Sequence, residues 1–147
     1  MTASMLRVRR DDYTAASSWR LLDWCMTRGA DEFTLGFLGP PYVSGTTWAE
    51  LDDLLAPFRR RVASAGDRWM LTGESAAVLK DMLPNGLLGS ASEGGPAVIR
   101  DPAVYRGGTL MLAIESDAGV GTLSLKDDDE ASLARTGLPV HRGGTAR

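Results

Sequence analysis

The acidic run at residues 127–130 (DDDE) contains the residue types that could most directly bind a metal ion or a basic partner. A calcium-binding EF-hand loop needs Gly at its sixth position and Glu at its twelfth. Counted from Asp127, those positions hold Ser132 and Leu138, so the calcium motif is absent. A helix start explains the run better, with Asp127 as N-cap and Glu130 at the third helical position of a capping box. We therefore predict no metal site here.

A serine between small residues is the second candidate for chemistry. The stretch at residues 73–77 (GESAA) lies between a predicted strand and a predicted helix. A nucleophile on such a sharp turn needs small neighbours, because larger side chains would clash there. A hydrolase triad in the chain order serine, acid, histidine could be formed by Ser75, then Asp101 or Asp117, then His141.

These residues resemble the G-x-S-x-G nucleophile elbow of the α/β-hydrolases, with Ala77 in place of the last Gly. The resemblance implies a serine hydrolase with Ser75 as nucleophile and His141 as base. It covers seven residues, and His141 lies in a polar tail that would position a base poorly. The alternative interpretation is that Glu74 and Ser75 satisfy the free amides of a helix N-terminus.

The aromatic segment at residues 39–48 is the best candidate for a contact surface. It is restricted by prolines, and no charged residue occurs between Phe33 and Ala49. Tyr and Trp offer large contact areas at a low entropic cost and are enriched at interfaces. We therefore predict that Pro41, Tyr42 and Trp48 contact a partner. The alternative is that Trp48 is an ordinary core residue.

Composition and charge narrow the classes of protein that this chain could represent. A net charge of −3 and a pI near 5.1 argue against nucleic-acid binding, which usually needs a basic stripe. No apolar stretch is long enough to span a membrane, and no secretory signal is recognisable. Cys25 is the only cysteine, which excludes an internal disulfide, suits a reducing cytoplasm and favours a buried apolar role. We predict a cytoplasmic protein.

The elements that must position these residues alternate between strand and helix patterns. Strand patterns cover residues 5–10, 32–38, 68–72, 97–100, 109–116 and 120–126, and the last two form a hairpin. Helix patterns cover residues 12–29, 47–66, 74–83 and 127–137. Pro57 should kink the second helix or begin a new one, and Arg59, Arg60 and Arg61 would lie near its end.

These patterns predict an α+β fold with a mixed or mainly antiparallel sheet of about five or six strands. Three or four helices would pack mostly on one face, and a C-terminal β-hairpin would be followed by a short helix. Residues 1–147 would form a single domain, with 140–147 as a flexible tail.

The leading functional hypothesis is a non-catalytic binding protein of the accessory or immunity type. The sequence lacks a convergent set of His, Cys, Asp and Glu residues with the spacing of a catalytic site. Its partner would be a protein or a small ligand, without a cofactor, and a homodimer is possible. The alternative function is a small serine hydrolase that uses Ser75 and His141.

Overall fold

The computed structural model describes residues 4–37, 45–62, 66–88 and 99–142. Within them the strands are β1 Ser4–Arg9, β2 Glu32–Phe37, β3 Arg59–Val62, β4 Gly66–Met70, β5 Ile99–Arg106, β6 Thr109–Glu115, β7 Val120–Leu125 and β8 His141–Arg142. The helices are α1 Ala15–Thr27, α2 Gly45–Leu55, α3 Gly73–Met82 and α4 Asp129–Ala134. Short 3-10 turns lie at Arg10–Asp12 and Ala56–Phe58. The predicted α+β class is confirmed.

All the described strands form one antiparallel sheet in the order β3-β4-β2-β5-β6-β7-β1-β8. The predicted number of five or six strands is therefore too low, because the sheet has eight. The two missed strands, β3 and β8, are the outermost ones. Each is short, with four and two residues, so neither shows enough alternation to be recognised in the sequence.

The second predicted helix ends eleven residues early, at Leu55 instead of Gly66. Pro57 lacks an amide hydrogen, and its ring clashes with the preceding turn, so the chain passes through a 3-10 turn. Arg59 and Arg60, which were predicted to lie near a helix end, lie in β3 and pair with β4. Charged residues on an edge strand also discourage pairing with other chains.

The strand predicted at residues 97–100 is longer than expected. β5 continues through the predicted Asp101-Pro102 turn to Arg106. Asp101 adopts a positive φ of 48°, and its carboxylate accepts a hydrogen bond from the Ser116 amide at 2.8 Å. The Ser116 hydroxyl accepts in turn from the Asp101 amide at 2.9 Å, so the side chains bridge this irregular point. The strand can therefore resume beyond it.

One apolar cluster joins the helices to one face of the sheet. The helices contribute Leu22, Leu51, Leu79 and Leu133, and the strands contribute Leu6, Val8, Phe33, Trp69, Leu112 and Leu123. Along β1 the predicted alternation is confirmed: Leu6 and Val8 are buried, whereas Arg7 and Arg9 are exposed. The opposite face of the sheet therefore presents a separate set of side chains, which do not belong to this cluster.

The helices are all short. The longest described helix, α1, has 13 residues, whereas a bilayer-spanning helix needs about 20 consecutive apolar residues. Among the described residues, no helix combines the length and the apolar composition needed to cross a membrane.

Candidate functional site

The acidic run at residues 127–130 begins a helix, but one residue later than predicted. α4 starts at Asp129, with Asp128 as its N-cap residue. The predicted capping box is wrong, because Asp128 makes no side-chain capping bond and Asp127 lies outside the helix with a positive φ of 53°. The carboxylates of Asp127 and Asp128 therefore do not cap α4.

Asp129 is a buried anchor between distant parts of the chain. Its side chain is 1% exposed, and its carboxylate accepts hydrogen bonds from Arg28 Nε and Arg106 Nη2, both at 2.8 Å. The Lys126 amide donates a third bond at 2.9 Å. Burial raises the pKa of the Asp129 carboxyl, but the bonds from Arg106, the Lys126 amide and Arg28 outweigh burial and lower it to about 2. The carboxylate thus fixes α4 to α1 and β5.

Cys25 lies on α1 and is fully buried. Burial raises the pKa of its thiol to about 12, an effect that nearby Arg106 only partly offsets. A thiol with so high a pKa is not nucleophilic near neutral pH. The predicted buried apolar role of this residue is confirmed.

Ser75 lies in the first turn of α3 and is completely buried. Its hydroxyl oxygen accepts from the Thr72 amide at 2.9 Å, while the Thr72 hydroxyl accepts from the Ser75 amide at 3.1 Å. The Ser75 hydroxyl also donates to the Met70 carbonyl at 2.8 Å. The described geometry is therefore that of a capping box.

His141 is not brought near Ser75. His141 lies on β8, at one edge of the sheet, and its Nε2 atom is 2.8 Å from an Asp12 carboxylate oxygen. Ser75 follows β4, which is separated from β8 by six strand spacings, or roughly 29 Å at about 4.8 Å each. Asp101 and Asp117 both form ion pairs with Arg100. The described structure brings no base to the Ser75 hydroxyl.

Replacing Ser75 with Ala tests its structural role. We expect the free energy of unfolding to fall by about 1–2 kcal/mol, because the cap and a buried hydrogen bond are lost. Urea denaturation measures this change, and Ser17→Ala in the more exposed capping box of α1 is the matched control, with a smaller expected loss.

A fluorophosphonate probe should not label the wild-type protein, and labelling that depends on Ser75 would contradict this assignment.

The predicted partner-binding residues are Pro41, Tyr42 and Trp48. Pro41 and Tyr42 lie outside the described residues. The backbone of Trp48 lies in α2, and its side chain is outside the described part of the structure. Their role in binding stays a prediction.

A surface that the sequence did not single out lies on the sheet side opposite the apolar cluster. The strand register aligns Thr34, Ala103, Ala113, Thr122 and Arg7 in one continuous row across β2, β5, β6, β7 and β1. Directly paired residues of antiparallel strands point to the same side of a sheet. We call the side that carries this row the outer face. Its middle consists of small, uncharged side chains that are only partly buried.

The β1 end of the outer face is basic and partly apolar. Arg7 and Arg9 are exposed, and neither has an ion-pair partner among the described residues. Met5, on the same side of β1, is 47% exposed. Two exposed guanidinium groups and a large exposed apolar side chain therefore lie side by side.

The β4 end of the outer face carries a compact charged group. Glu32 is held by Arg60 at 2.6 Å and by Arg68 at 3.2 Å. The Arg68 guanidinium also lies over the ring of Tyr105, 3.9 Å from its centroid. Met70 pairs with Glu32, and Leu110 with Tyr105, and both apolar residues are exposed.

Comparisons with known proteins add no further assignment. The chain matches no protein-family model, no curated protein and no solved structure. The alternation in β1 was a usable sequence signal for the outer face, but the strand order that aligns its residues was not accessible from the sequence.

Proposed function

We propose that the protein is a small, non-catalytic binding protein of the accessory or immunity type that acts in the cytoplasm. It contacts a partner protein through the outer face of its sheet. The observation that supports this proposal is the exposure of Met5, Met70 and Leu110 on that face, at 47%, 37% and 40% of their surface. Large apolar side chains that share one exposed surface are typical of protein-interaction sites.

The roles of the buried reactive groups favour binding over catalysis. The Ser75 hydroxyl caps α3, the Asp129 carboxylate joins three segments, and Glu32 is held between two arginines. Each of these groups is already hydrogen-bonded or ion-paired to another residue of the chain. A catalytic group, by contrast, must be available to a substrate in a suitable geometry.

The segment at residues 39–48 remains part of the proposal as a second contact region. Its prediction depends on the sequence alone, through Pro41, Tyr42 and Trp48. A homodimer that uses the same apolar segment is the competing form of this proposal, and it would show as concentration-dependent sedimentation.

Site-specific photo-crosslinking in native extract tests the proposed surfaces. A benzophenone amino acid would replace Thr122 on the outer face, Tyr42 in the predicted loop, or Ala131, an exposed residue of α4 that serves as the control. We expect a discrete crosslinked product from Thr122 and none from Ala131. Products from Tyr42 would extend the surface to the loop. Crosslinking from Ala131 alone, or from none of the three, would contradict the proposal.

A further inference from the structure

We infer that the partner of the outer face is an acidic amphipathic helix that lies across the strands. This inference rests on the proposed function and adds the chemistry of the partner. Carboxylates of the helix would bind Arg7 and Arg9 at one end and the arginines beside Glu32 at the other. Its apolar side chains would lie over the small residues between them.

The charge of the outer face differs in sign from that of the whole chain. The register places five arginines on this face, against two carboxylates of the strands. The arginines are Arg7, Arg9, Arg60, Arg68 and Arg100, and the carboxylates are Glu32 and Glu115. Arg100 is paired with Asp101 and Asp117. The described strands therefore place more arginines than carboxylates on this face, whereas the chain carries −3. Such a local reversal attracts an acidic partner and orients it.

The spacing of the charges matches a helix of moderate length. Arg7 on β1 and Arg68 on β4 are separated by five strand spacings, or roughly 24 Å at about 4.8 Å each. A helix of about 16 residues covers that distance at 1.5 Å per residue. The intervening Thr122, Ala113 and Ala103 have short side chains, which allow close approach. Met5 and Leu110 flank this path with exposed apolar surface.

Two other occupants fit less well. A second copy of the chain would place two faces of like charge against each other. A nucleic acid would need several arginines free for phosphate contacts and exposed aromatic rings for stacking. Here the ring of Tyr105 on this face is covered by the Arg68 guanidinium, which prevents a base from stacking on it. An acidic amphipathic helix would bind the exposed arginines Arg7 and Arg9 and would also cover the exposed apolar side chains.

A designed peptide provides the probe. It would be a fluorescent amphipathic helix of about 18 residues, with Glu near both ends and Ala and Leu along one face. A peptide with Lys in place of every Glu, and a single-stranded oligonucleotide of similar length, serve as comparisons. Anisotropy titrations of the full chain should show binding of the acidic peptide at least about tenfold tighter than of the Lys peptide. This preference should weaken as the salt concentration rises from about 50 mM to about 500 mM.

Charge reversal locates the binding site. The double variant Arg7→Glu, Arg9→Glu should weaken binding of the acidic peptide about tenfold or more, because both guanidinium groups are exposed and have no ion-pair partner among the described residues. Arg135→Glu, an exposed change at the end of α4, is the matched control and should leave binding unchanged. Circular dichroism would check that both variants fold. If folding of the double variant is impaired, Arg9→Glu alone replaces it.

Several outcomes would overturn the inference. They are equal binding of the two peptides, binding that is insensitive to the reversal of Arg7 and Arg9, tighter binding of the oligonucleotide, or self-association that is lost in the double variant. If the acidic peptide fails while Thr122 still crosslinks to a protein in extract, the proposed function stands and the acidic-partner inference falls. If both experiments fail, both proposals fall.

Discussion

Replacement of Asp129 by Ala is expected to lower the free energy of unfolding by about 3 kcal/mol. The carboxylate is 1% exposed and holds Arg106, whose side chain is only 15% exposed. Its loss would leave that guanidinium without its carboxylate and the Lys126 amide without its acceptor. Urea denaturation followed by circular dichroism measures the change. Asp128→Ala removes a neighbouring carboxylate that is 69% exposed, and it should cost much less.

The Asp129 carboxylate should also make the free energy of unfolding depend on pH in acidic solution. The pKa of Asp129 is about 2 in the folded protein, below its ordinary value of 3.8, so the ionised form stabilises the fold. This contribution is fully present above about pH 4 and is lost as the pH falls from about 4 through 2. In Asp129→Asn no proton is taken up at this position. The stability difference between wild type and this variant should therefore shrink over that range, and a constant difference would contradict the assigned role.

The parts of the fold that the sequence predicts are those that local periodicity controls. β1 alternates Leu6 and Val8 with Arg7 and Arg9, and the structure has the same alternation. β3 was missed because the apolar residues that precede it in the sequence keep a helical spacing. Leu51, Leu55 and Phe58 continue this spacing past the true end of the helix. Only pairing with β4 makes residues 59–62 a strand, and such pairing leaves little trace in a four-residue segment.

The ion pairs of Asp129 and the outer face could not be predicted from the sequence, for a related reason. The bonds of Asp129 reach Arg28 and Arg106, 101 and 23 residues away, so the acidic run could be assigned to a helix start but not to a buried ion pair. The outer face joins residues of β1 to residues of β4 through four intervening strands. Alternation predicts which side chains share a face within one strand. It does not predict which strands are neighbours, and the charge pattern of the outer face depends on that order.

Replacing Trp69 with Ala is expected to lower the free energy of unfolding by about 4 kcal/mol, because a large buried ring is removed at the point where β4 joins β2. Trp69 is 5% exposed and stacks on Phe33, with ring centroids 5.7 Å apart and an interplanar angle of 20°. Circular dichroism during urea denaturation measures the loss without depending on tryptophan fluorescence.

The matched control for Trp69→Ala is Trp69→Phe. The indole Nε1 of Trp69 is buried and has no hydrogen-bond partner among the described residues, so Phe keeps a ring against Phe33 while removing an unsatisfied donor. We expect this variant to lose less than about 1.5 kcal/mol. Equal losses in both variants would mean that the indole edge, and not the ring stacked on Phe33, holds β4 to β2. Because β4 carries Arg68, a loosened β4 should also weaken acidic-peptide binding in Trp69→Ala more than in Trp69→Phe.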